Sequence, residues 1–238
     1  MSDAAHGSPV HDGLVDRLGA AIVQGRYPTG ARLITGDLAD ESGASRSAAR
    51  EAVRVLESLG LVEVRRKLGV EVLPPGRWSV YAPEVIAWRL AGPDRARQLT
   101  ELSQLRSAVE PLAVRLAAGN ASLEQRHAML TAVGAMAHSE HDADGAEYLA
   151  ADIAFHRTLL AASGNAMLAA LGDVVEAVLV GRTRHELMPH QANPAAVRWH
   201  QSVAVAIAAG RAEEAAAAMA SIVAEAEIAV QRITGAAR

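Results

Sequence analysis

Cysteine is absent from this 238-residue sequence, and aromatic residues make up only 3% of it. The lack of cysteine excludes disulfides, thiol catalysis and cysteine-ligated zinc sites. Since hydrophobic residues make up 50% of the chain, the core must consist of alanine, leucine and valine, and the alanine-rich runs favour helix. An apolar run of membrane-spanning length and an N-terminal signal pattern are also lacking, so we expect a soluble, cytoplasmic protein without membrane contact.

Positive charge is scarce, because lysine occurs once and the net charge is −4. This balance argues against a protein coated in nucleic acid. Between residues 45 and 67, however, basic residues outnumber acidic ones: Arg46, Arg50, Arg54, Arg65, Arg66 and Lys67 face Glu51, Glu57 and Glu63. A basic stretch on an acidic chain is typical of a protein that touches DNA with one element.

The clearest boundary in the chain is the segment Leu73-Pro74-Pro75-Gly76-Arg77, where two prolines and a glycine interrupt regular structure. We therefore predict two domains, covering residues 1–75 and 76–238. In the first, helical periodicity ends near Gly25, and Thr35 is placed to cap a short helix that Gly43 ends. A longer helix follows, and then alternating valines predict a β-hairpin with a glycine near its tip. This order is that of a winged helix-turn-helix.

The third helix of this domain carries the candidate DNA contacts. Ser45 is placed to cap it, and Arg46 and Arg50, four residues apart, share its exposed side with Ser47. Side chains near a helix N-terminus reach bases and phosphates in a major groove. The alternative is that the arginines pair with Glu51 or Glu57 on a solvated helix face.

The sequence from Leu14 to Leu73 closely resembles the GntR family. The matching motifs include Gly25-Arg26-Tyr27-Pro28-Thr29-Gly30 and Ser45-Arg46-Ser47-Ala48-Ala49-Arg50-Glu51-Ala52-Val53. The resemblance implies that Arg46 and Arg50 read or clamp an operator and that Gly69 lets the wing approach the DNA backbone. The full set of predicted DNA-binding residues is Ser45, Arg46, Ser47, Arg50, Arg66, Lys67 and Gly69. The family pattern is broken at Gly36, where several relatives carry a charged residue.

The C-terminal segment reads as helix throughout, with polar residues on its apolar faces. Arg106 lies on the stripe that Leu99 and Ala113 define. A buried guanidinium needs an anion opposite it, and the two alternatives are an internal carboxylate, Glu110, and the carboxylate of a ligand.

Three further polar residues lie on apolar helix faces. Asp152 and His156 are spaced i, i+4 within one helix, and His200 lies within another. Inward nitrogen and carboxylate donors from two helices suggest a site for a divalent metal ion, with zinc favoured. The alternative is that they form ordinary hydrogen bonds within the core.

This segment resembles the FadR C-terminal (FCD) domain of the same family, through Gln104-x-Arg106-x-x-x-Glu110, Asp152-Ile153-Ala154-Phe155-His156, Ser163-Gly164-Asn165 and His200. The resemblance implies an all-helical bundle that binds a metal ion and a small carboxylate effector, with Arg106 and Asn165 as effector contacts. It also implies a homodimer on a palindromic operator. Many relatives carry a further histidine ligand where this chain has Ile222, which leaves Asp152, His156 and His200 as the metal ligands.

We therefore predict a mainly α protein, with a winged helix-turn-helix and an FCD-type bundle, that acts as a transcriptional repressor. The segment from Arg77 to Leu90 resembles the domain junction of sugar-acid regulators, so the favoured effector is a sugar acid such as gluconate or galactonate. The alternative from another class is a metal-dependent hydrolase using Asp152, His156 and His200. A fatty-acyl effector is disfavoured, because those three polar side chains face inward.

Overall fold

In a computed structural model of the protein, residues 9–66, 68–185 and 188–235 are described, with side chains from residue 13 to residue 228 within these ranges. The chain divides into two compact units, Met1–Arg95 and Ala96–Arg238. The observed boundary thus lies later than the predicted one between residues 75 and 76. In the described residues, no helix is both long enough and apolar enough to cross a membrane.

The first unit has the predicted order of helix, helix, helix and hairpin. Its helices are α1 (Pro9–Val23), α2 (Thr35–Ser42), α3 (Arg46–Ser58) and α4 (Pro83–Leu90), and its strands are β1 (Arg32–Leu33), β2 (Val62–Arg65) and β3 (Gly69–Val72). The strands form an antiparallel sheet in the order β1-β3-β2. The winged helix-turn-helix is confirmed. Strand β1 was not predicted, because two residues are too few to show an alternating pattern.

The core of this unit explains the late boundary. Leu14 and Leu18 on α1 are buried together with Val53 and Leu56 on α3, under the sheet. Helix α4 belongs to the same unit because Trp88 also lies in this core, and its indole Nε1 donates a 3.0 Å hydrogen bond to Asp16 on α1. The prolines at residues 74 and 75 therefore interrupt the chain within a domain and do not end it.

Two local predictions about helix ends have different outcomes. Thr35 does not cap α2, because the N-cap residue is Ile34 and Thr35 is the first helical residue. Ser45 does cap α3, since its hydroxyl accepts a 3.1 Å hydrogen bond from the amide of Ala48. Gly43, with φ of 67°, ends α2 in the left-handed conformation that glycine tolerates best.

The second unit is helical throughout its described residues. Its α-helices are α5 (Arg95–Asn120), α6 (Leu123–His138), α7 (Ala146–Ala162), α8 (Ala166–Ala169), α9 (Gly172–Arg184), α10 (Pro194–Ala208) and α11 (Ala212–Gly235). Helix α7 packs against α6 and α9, and α10 packs against α6 and α11. Phe155 and Leu159 of α7 are buried with Val203 and Ile207 of α10. These neighbours bring α7 and α10, which carry the predicted metal ligands, into one core.

Candidate functional site

Helix α3 is amphipathic in the way that a DNA-reading helix requires. Ala49 and Val53 are buried in the core of the first unit, whereas Arg46, Ser47 and Arg50 are exposed. The Ser45 hydroxyl caps the helix and lies 2.9 Å from the Ser47 hydroxyl. One capped helix end therefore presents both arginines and two hydroxyl groups to solvent.

The pairing that would neutralise these arginines does not form. Glu51 pairs with Arg54 at 3.3 Å, and Glu57 accepts a 2.8 Å hydrogen bond from the backbone amide of Val64 at the start of the wing. Within the described part of the chain, Arg46 and Arg50 make no ion pair. The alternative in which Glu51 or Glu57 neutralises them is wrong, so both arginines keep their full positive charge toward solvent.

The wing carries less free charge than its sequence suggests. Arg65 lies 2.8 Å from the carboxylate of Glu63 and 3.2 Å from that of Glu71, and the hydrogen bond to Glu63 raises the pKa of Arg65. Arg66 is exposed. Lys67, also predicted to contact DNA, lies outside the described residues.

The packing of the sheet itself explains why residue 69 is a glycine. Its φ is 87°, and a Cβ at this position would lie 2.8 Å from the backbone oxygen of Leu33 on β1. The close approach of β1 therefore requires glycine here. The predicted approach of Gly69 to DNA stays a prediction.

In the second unit, Arg106 and Glu110 form a buried ion pair on α5. Their side chains are 4% and 0% exposed. The guanidinium Nε donates to Glu110 Oε1 at 2.7 Å and an Nη donates to Oε2 at 3.3 Å, so both carboxylate oxygens are engaged. The internal carboxylate considered for Arg106 is thus a partner of it, and its predicted contact with a ligand stays a prediction.

The predicted metal ligands come together next to this pair. Asp152 Oδ1 lies 3.3 Å from His156 Nε2 and 3.4 Å from His200 Nε2. All three side chains are buried, and one ligand atom from each lies within 4.8 Å of the others. The residues that the sequence places on two separate helices therefore form one cluster.

The hydrogen bonding of His200 leaves one of its ring nitrogens available to a ligand. Its Nδ1 donates a 2.8 Å hydrogen bond to the backbone oxygen of Ala196, so Nε2 of the neutral ring carries a lone pair. That atom and Asp152 Oδ1 are buried, face each other and have no hydrogen-bond partner. Two buried acceptors facing one another are costly unless a proton or a metal ion lies between them.

The ligand spacing fits such a cation. Metal–nitrogen and metal–oxygen bonds of about 2.0–2.1 Å in a tetrahedral site place neighbouring ligand atoms roughly 3.3 Å apart. The two separations from Asp152, 3.3 Å and 3.4 Å, have this length. Asp152, His156 and His200 would thus supply three ligands and leave a further position for a small molecule, which a bound metal ion would polarise as a Lewis acid.

Glu110 also supports His156 from behind. The Nδ1 of His156 lies 3.2 Å from Glu110 Oε2, without the alignment of a hydrogen bond. Burial opposes ionisation of Glu110, but the charges of Arg106 and His156 outweigh it and lower the Glu110 pKa to about 2. Burial likewise disfavours a charged His156, yet Glu110 and Asp152 raise its pKa to about 9. Glu110 therefore lies against the second ring nitrogen of His156 and acts on it through charge.

A residue that sequence reasoning missed is Arg182 on α9. It is 7% exposed, and no acceptor reaches its Nε. The sequence signal was the one used for Arg106, since Arg182 follows the buried Val178 and Leu179 by four and three residues on one helix face.

Asn165 and Ile222 have structural contacts of their own. Asn165 is exposed and caps α8, its side-chain oxygen accepting from the amides of Met167 and Leu168. Its predicted effector contact stays a prediction. Ile222 is buried in the apolar core, so this position supplies no ligand.

An exposed second group of donors, Asp142, Asp144 and His190, was also missed by the sequence analysis. His190 hydrogen bonds to Asp144 at 2.8 Å, which raises the His190 pKa and lowers that of Asp144. Exposed pairs of this kind contribute little to stability, and we assign this one no further role.

Comparison with known proteins agrees with both units. Residues 11–72 match the family of bacterial regulatory proteins called gntR, and residues 101–225 match the FCD domain. The chain is 28% identical over 198 residues to the galactonate operon transcriptional repressor of Escherichia coli, covering 82% of this chain and 86% of that protein. It is 32% identical over 174 residues to the HTH-type transcriptional regulator Rv0494 of Mycobacterium tuberculosis, covering 73% and 69%.

Among solved structures, the fold resembles that of Lar, a protein that controls expression of the Listeria monocytogenes agr system. The TM-score is 0.59 at 16% identity, covering 96% of this chain and 100% of that one. The predicted fold class is thus confirmed in both parts, and the family consists of transcriptional regulators, which removes the hydrolase alternative. This chain belongs to the gntR family of bacterial DNA-binding transcriptional regulators, in the branch that carries an FCD domain.

Proposed function

We propose that this regulator is a homodimeric repressor that acts in the cytoplasm and leaves a palindromic operator when a small carboxylate binds its helical domain. A divalent metal ion, with zinc favoured, is held there by Asp152, His156 and His200. The favoured effector is a sugar acid such as galactonate or gluconate. Effector binding shifts the population toward a form with poor operator affinity.

The DNA-binding half of the proposal is supported by unpaired charge on α3. Arg46 and Arg50 are exposed at a capped helix end, while the nearby glutamates are engaged elsewhere. In a winged helix-turn-helix this helix end enters the major groove. We propose that both arginines contact bases or phosphates, with Ser45, Ser47 and the wing residues Arg66, Lys67 and Gly69 beside them.

The sensor half is supported by one observation above all: Asp152 Oδ1 and His200 Nε2 are buried, 3.4 Å apart and without partners. A hydrogen bond from a neutral His200 does not explain this arrangement, because the Ala196 carbonyl holds the single proton of the neutral ring on Nδ1. A metal ion satisfies both atoms. With three protein ligands, it keeps a coordination position for a ligand carboxylate.

The sugar-acid class is supported by similarity to a galactonate operon repressor over most of the chain. It also suits a metal site, since carboxylate and hydroxyl oxygens bind divalent ions together. The role that the resemblance implies for Arg106 is reduced by its pairing with Glu110, which occupies the guanidinium edge at Nε. Arg106 is then proposed as a support for the site and only secondarily as an effector contact.

Thermal melting against a panel of aldonates and other small carboxylates tests the sensor. Each acid is added to the purified protein, then after chelator treatment, and then after return of Zn²⁺. We expect a ligand-specific rise in Tm that disappears with chelator and returns with metal. Asp152→Asn is the matched variant, because it removes a metal ligand with little change of shape, and we expect it to lose the rise.

The other outcomes separate the parts of the proposal. A rise in Tm that is unchanged by the chelator would show that the acid binds without a metal ion, with an arginine as its main contact. A rise that persists in Asp152→Asn would move the ligand away from this cluster. If no acid raises Tm, the effector half fails and the DNA-binding half remains.

A further inference from the structure

The second unit contains a buried cation that the proposed metal site does not use. Arg182 lies near the end of α9, on the face that carries the buried residues Val175, Val178 and Leu179. Helix α9 packs on α7, the helix of Asp152 and His156, and Val175 and Leu179 share a core with Phe155 of α7. The side chain of Arg182 is therefore held inside the bundle with the candidate metal cluster.

Arg106 and Arg182, both buried in this unit, differ in how their charge is compensated. Arg106 is held by both oxygens of Glu110. Among the residues that the structure describes, Arg182 has no such partner, and its Nε is buried without any acceptor. Burial and the like charge of Arg106 lower the pKa of Arg182, although Asp152, Glu225 and Tyr148 act in the opposite direction. The surrounding carboxylates thus do not offset the cost of burying this guanidinium.

The charge balance of the site points the same way. The two arginines balance the buried carboxylates of Glu110 and Asp152, so a divalent ion beside neutral histidines would leave its own charge uncompensated. Among the described residues, half-buried Glu225 is a further acid that acts on Arg182, and its single charge would offset only part of that of a divalent ion. A site with this excess of positive charge selects an anionic ligand.

We propose that Arg182, rather than Arg106, is the arginine that binds the carboxylate of the effector, and that the effector is a small hydroxycarboxylate lying between Arg182 and the metal site. This inference rests on the proposed sensor function. A guanidinium fork matches a carboxylate with two parallel hydrogen bonds, and the acceptor missing at Nε is then supplied by the ligand.

The melting temperature of the ligand-free protein distinguishes whether Arg182 is a binding residue or a structural one. A buried guanidinium without an acceptor costs stability in the ligand-free protein, so an apolar side chain of similar length relieves that cost. We expect Arg182→Met to melt at the same or a higher temperature than the wild type when no ligand is present. A structural arginine would show a lower Tm on the same substitution.

The test is calorimetric titration of the Zn²⁺-loaded full chain with D-galactonate, D-gluconate, L-lactate and acetate. The variants are Arg182→Met, Arg182→Lys and Arg184→Met, the last an exposed arginine on the same helix. We expect Arg182→Met to weaken binding of the tightest wild-type carboxylate by at least about 10-fold, as for loss of a charged hydrogen bond. Zn²⁺ affinity should stay unchanged, and Arg184→Met should match the wild type.

Arg182→Lys keeps the positive charge but lacks the two-pronged donor of the guanidinium. We expect this variant to fold even if the fold needs a cation there, and to bind the carboxylate more weakly than the wild type does. Unchanged carboxylate binding in both Arg182 variants overturns the inference and leaves the proposed sensor intact. A parallel loss of ligand-free Tm, Zn²⁺ affinity and carboxylate affinity overturns it as well, because Arg182 is then structural. If none of the four carboxylates binds the wild type, the inference and the effector proposal both fail.

Discussion

The ring of His200 is oriented by Ala196, one turn earlier in α10: the imidazole Nδ1 donates a 2.8 Å hydrogen bond to the Ala196 backbone oxygen. In the neutral ring Nδ1 therefore holds the proton, and Nε2 directs its lone pair at Asp152 Oδ1, 3.4 Å away. A backbone bond of this kind is the usual way in which proteins orient a metal-binding histidine. It makes His200 the most direct place to test the metal site.

Substitution His200→Ala should weaken Zn²⁺ binding by more than about 100-fold, beyond the cost usual for residues that only support a ligand. The physical reason is the loss of one of three ligands. Titration calorimetry of metal-free protein with ZnCl₂ measures the change. His138→Ala serves as the control, because His138 is an exposed histidine at the end of α6. Equal affinities in wild type and His200→Ala would rule His200 out as a ligand.

Substitution Glu110→Gln should lower the free energy of unfolding by about 3–5 kcal/mol, the cost of leaving a buried charge without its partner. The affected charge is that of Arg106, which is 4% exposed and held by both Glu110 oxygens. Urea denaturation measures the change. Glu124→Gln, an exposed residue in the first turn of α6, should cost less than about 1 kcal/mol. A similar small effect at Glu110 would show that Arg106 finds compensation elsewhere.

Substitution Arg50→Ala should weaken operator binding by about 1–3 kcal/mol without changing the melting temperature. The operator is first selected from a random DNA pool, which also shows whether it is palindromic. Fluorescence anisotropy at fixed salt then gives the Kd. Arg115→Ala removes an exposed arginine of the second unit that pairs with Glu213, and it should leave the Kd unchanged. Loss of affinity in both variants alike would point to a general charge effect.

The stability of the metal-free protein should depend on pH at both ends of the range. His156 has its pKa raised from 6.5 to about 9, so its stabilising contribution is complete below pH 6.5 and is lost as pH rises through 9. Glu110 has its pKa lowered from 4.5 to about 2, so its contribution is complete above pH 4.5 and is lost as pH falls through 2.

Urea midpoints of chelator-treated protein between pH 5 and 10 check the alkaline limb. His156→Gln should flatten it, because the titrating ring is gone. An alkaline limb of equal slope in His156→Gln would assign the loss to other groups.

Much of the fold and of the candidate site could be predicted from the sequence, because the signals lie in neighbouring residues. Ser45 caps α3 through its own hydroxyl, and glycines end helices through their own φ, so the helix-turn-helix order is visible in residue spacing. The i, i+4 spacing of Asp152 and His156 likewise places them on one helix face before any packing is known. The predicted cap at Thr35 was wrong by one position. The exact first residue of a helix depends on backbone geometry, which residue type alone does not determine.

Other features were decided only by the tertiary structure. Helix α4 joined the first unit because Trp88 reaches Asp16, a contact between residues far apart in the chain. The short strand β1 exists because β3 offers it a free edge. Packing also decided which charges are paired. Arg106 pairs with Glu110, whereas Arg46 and Arg50 make no ion pair with any described residue.

The sequence by itself determined the family, the fold class and the identities of the candidate metal ligands, because these depend on periodicity and on motifs of neighbouring residues. Only the tertiary structure decided which buried polar groups are satisfied. Satisfaction depends on which atoms from other helices come within about 3 Å with the right alignment. The unpartnered Asp152 Oδ1, His200 Nε2 and Arg182 Nε, on which both proposals rest, are visible only once α7, α9 and α10 are packed together.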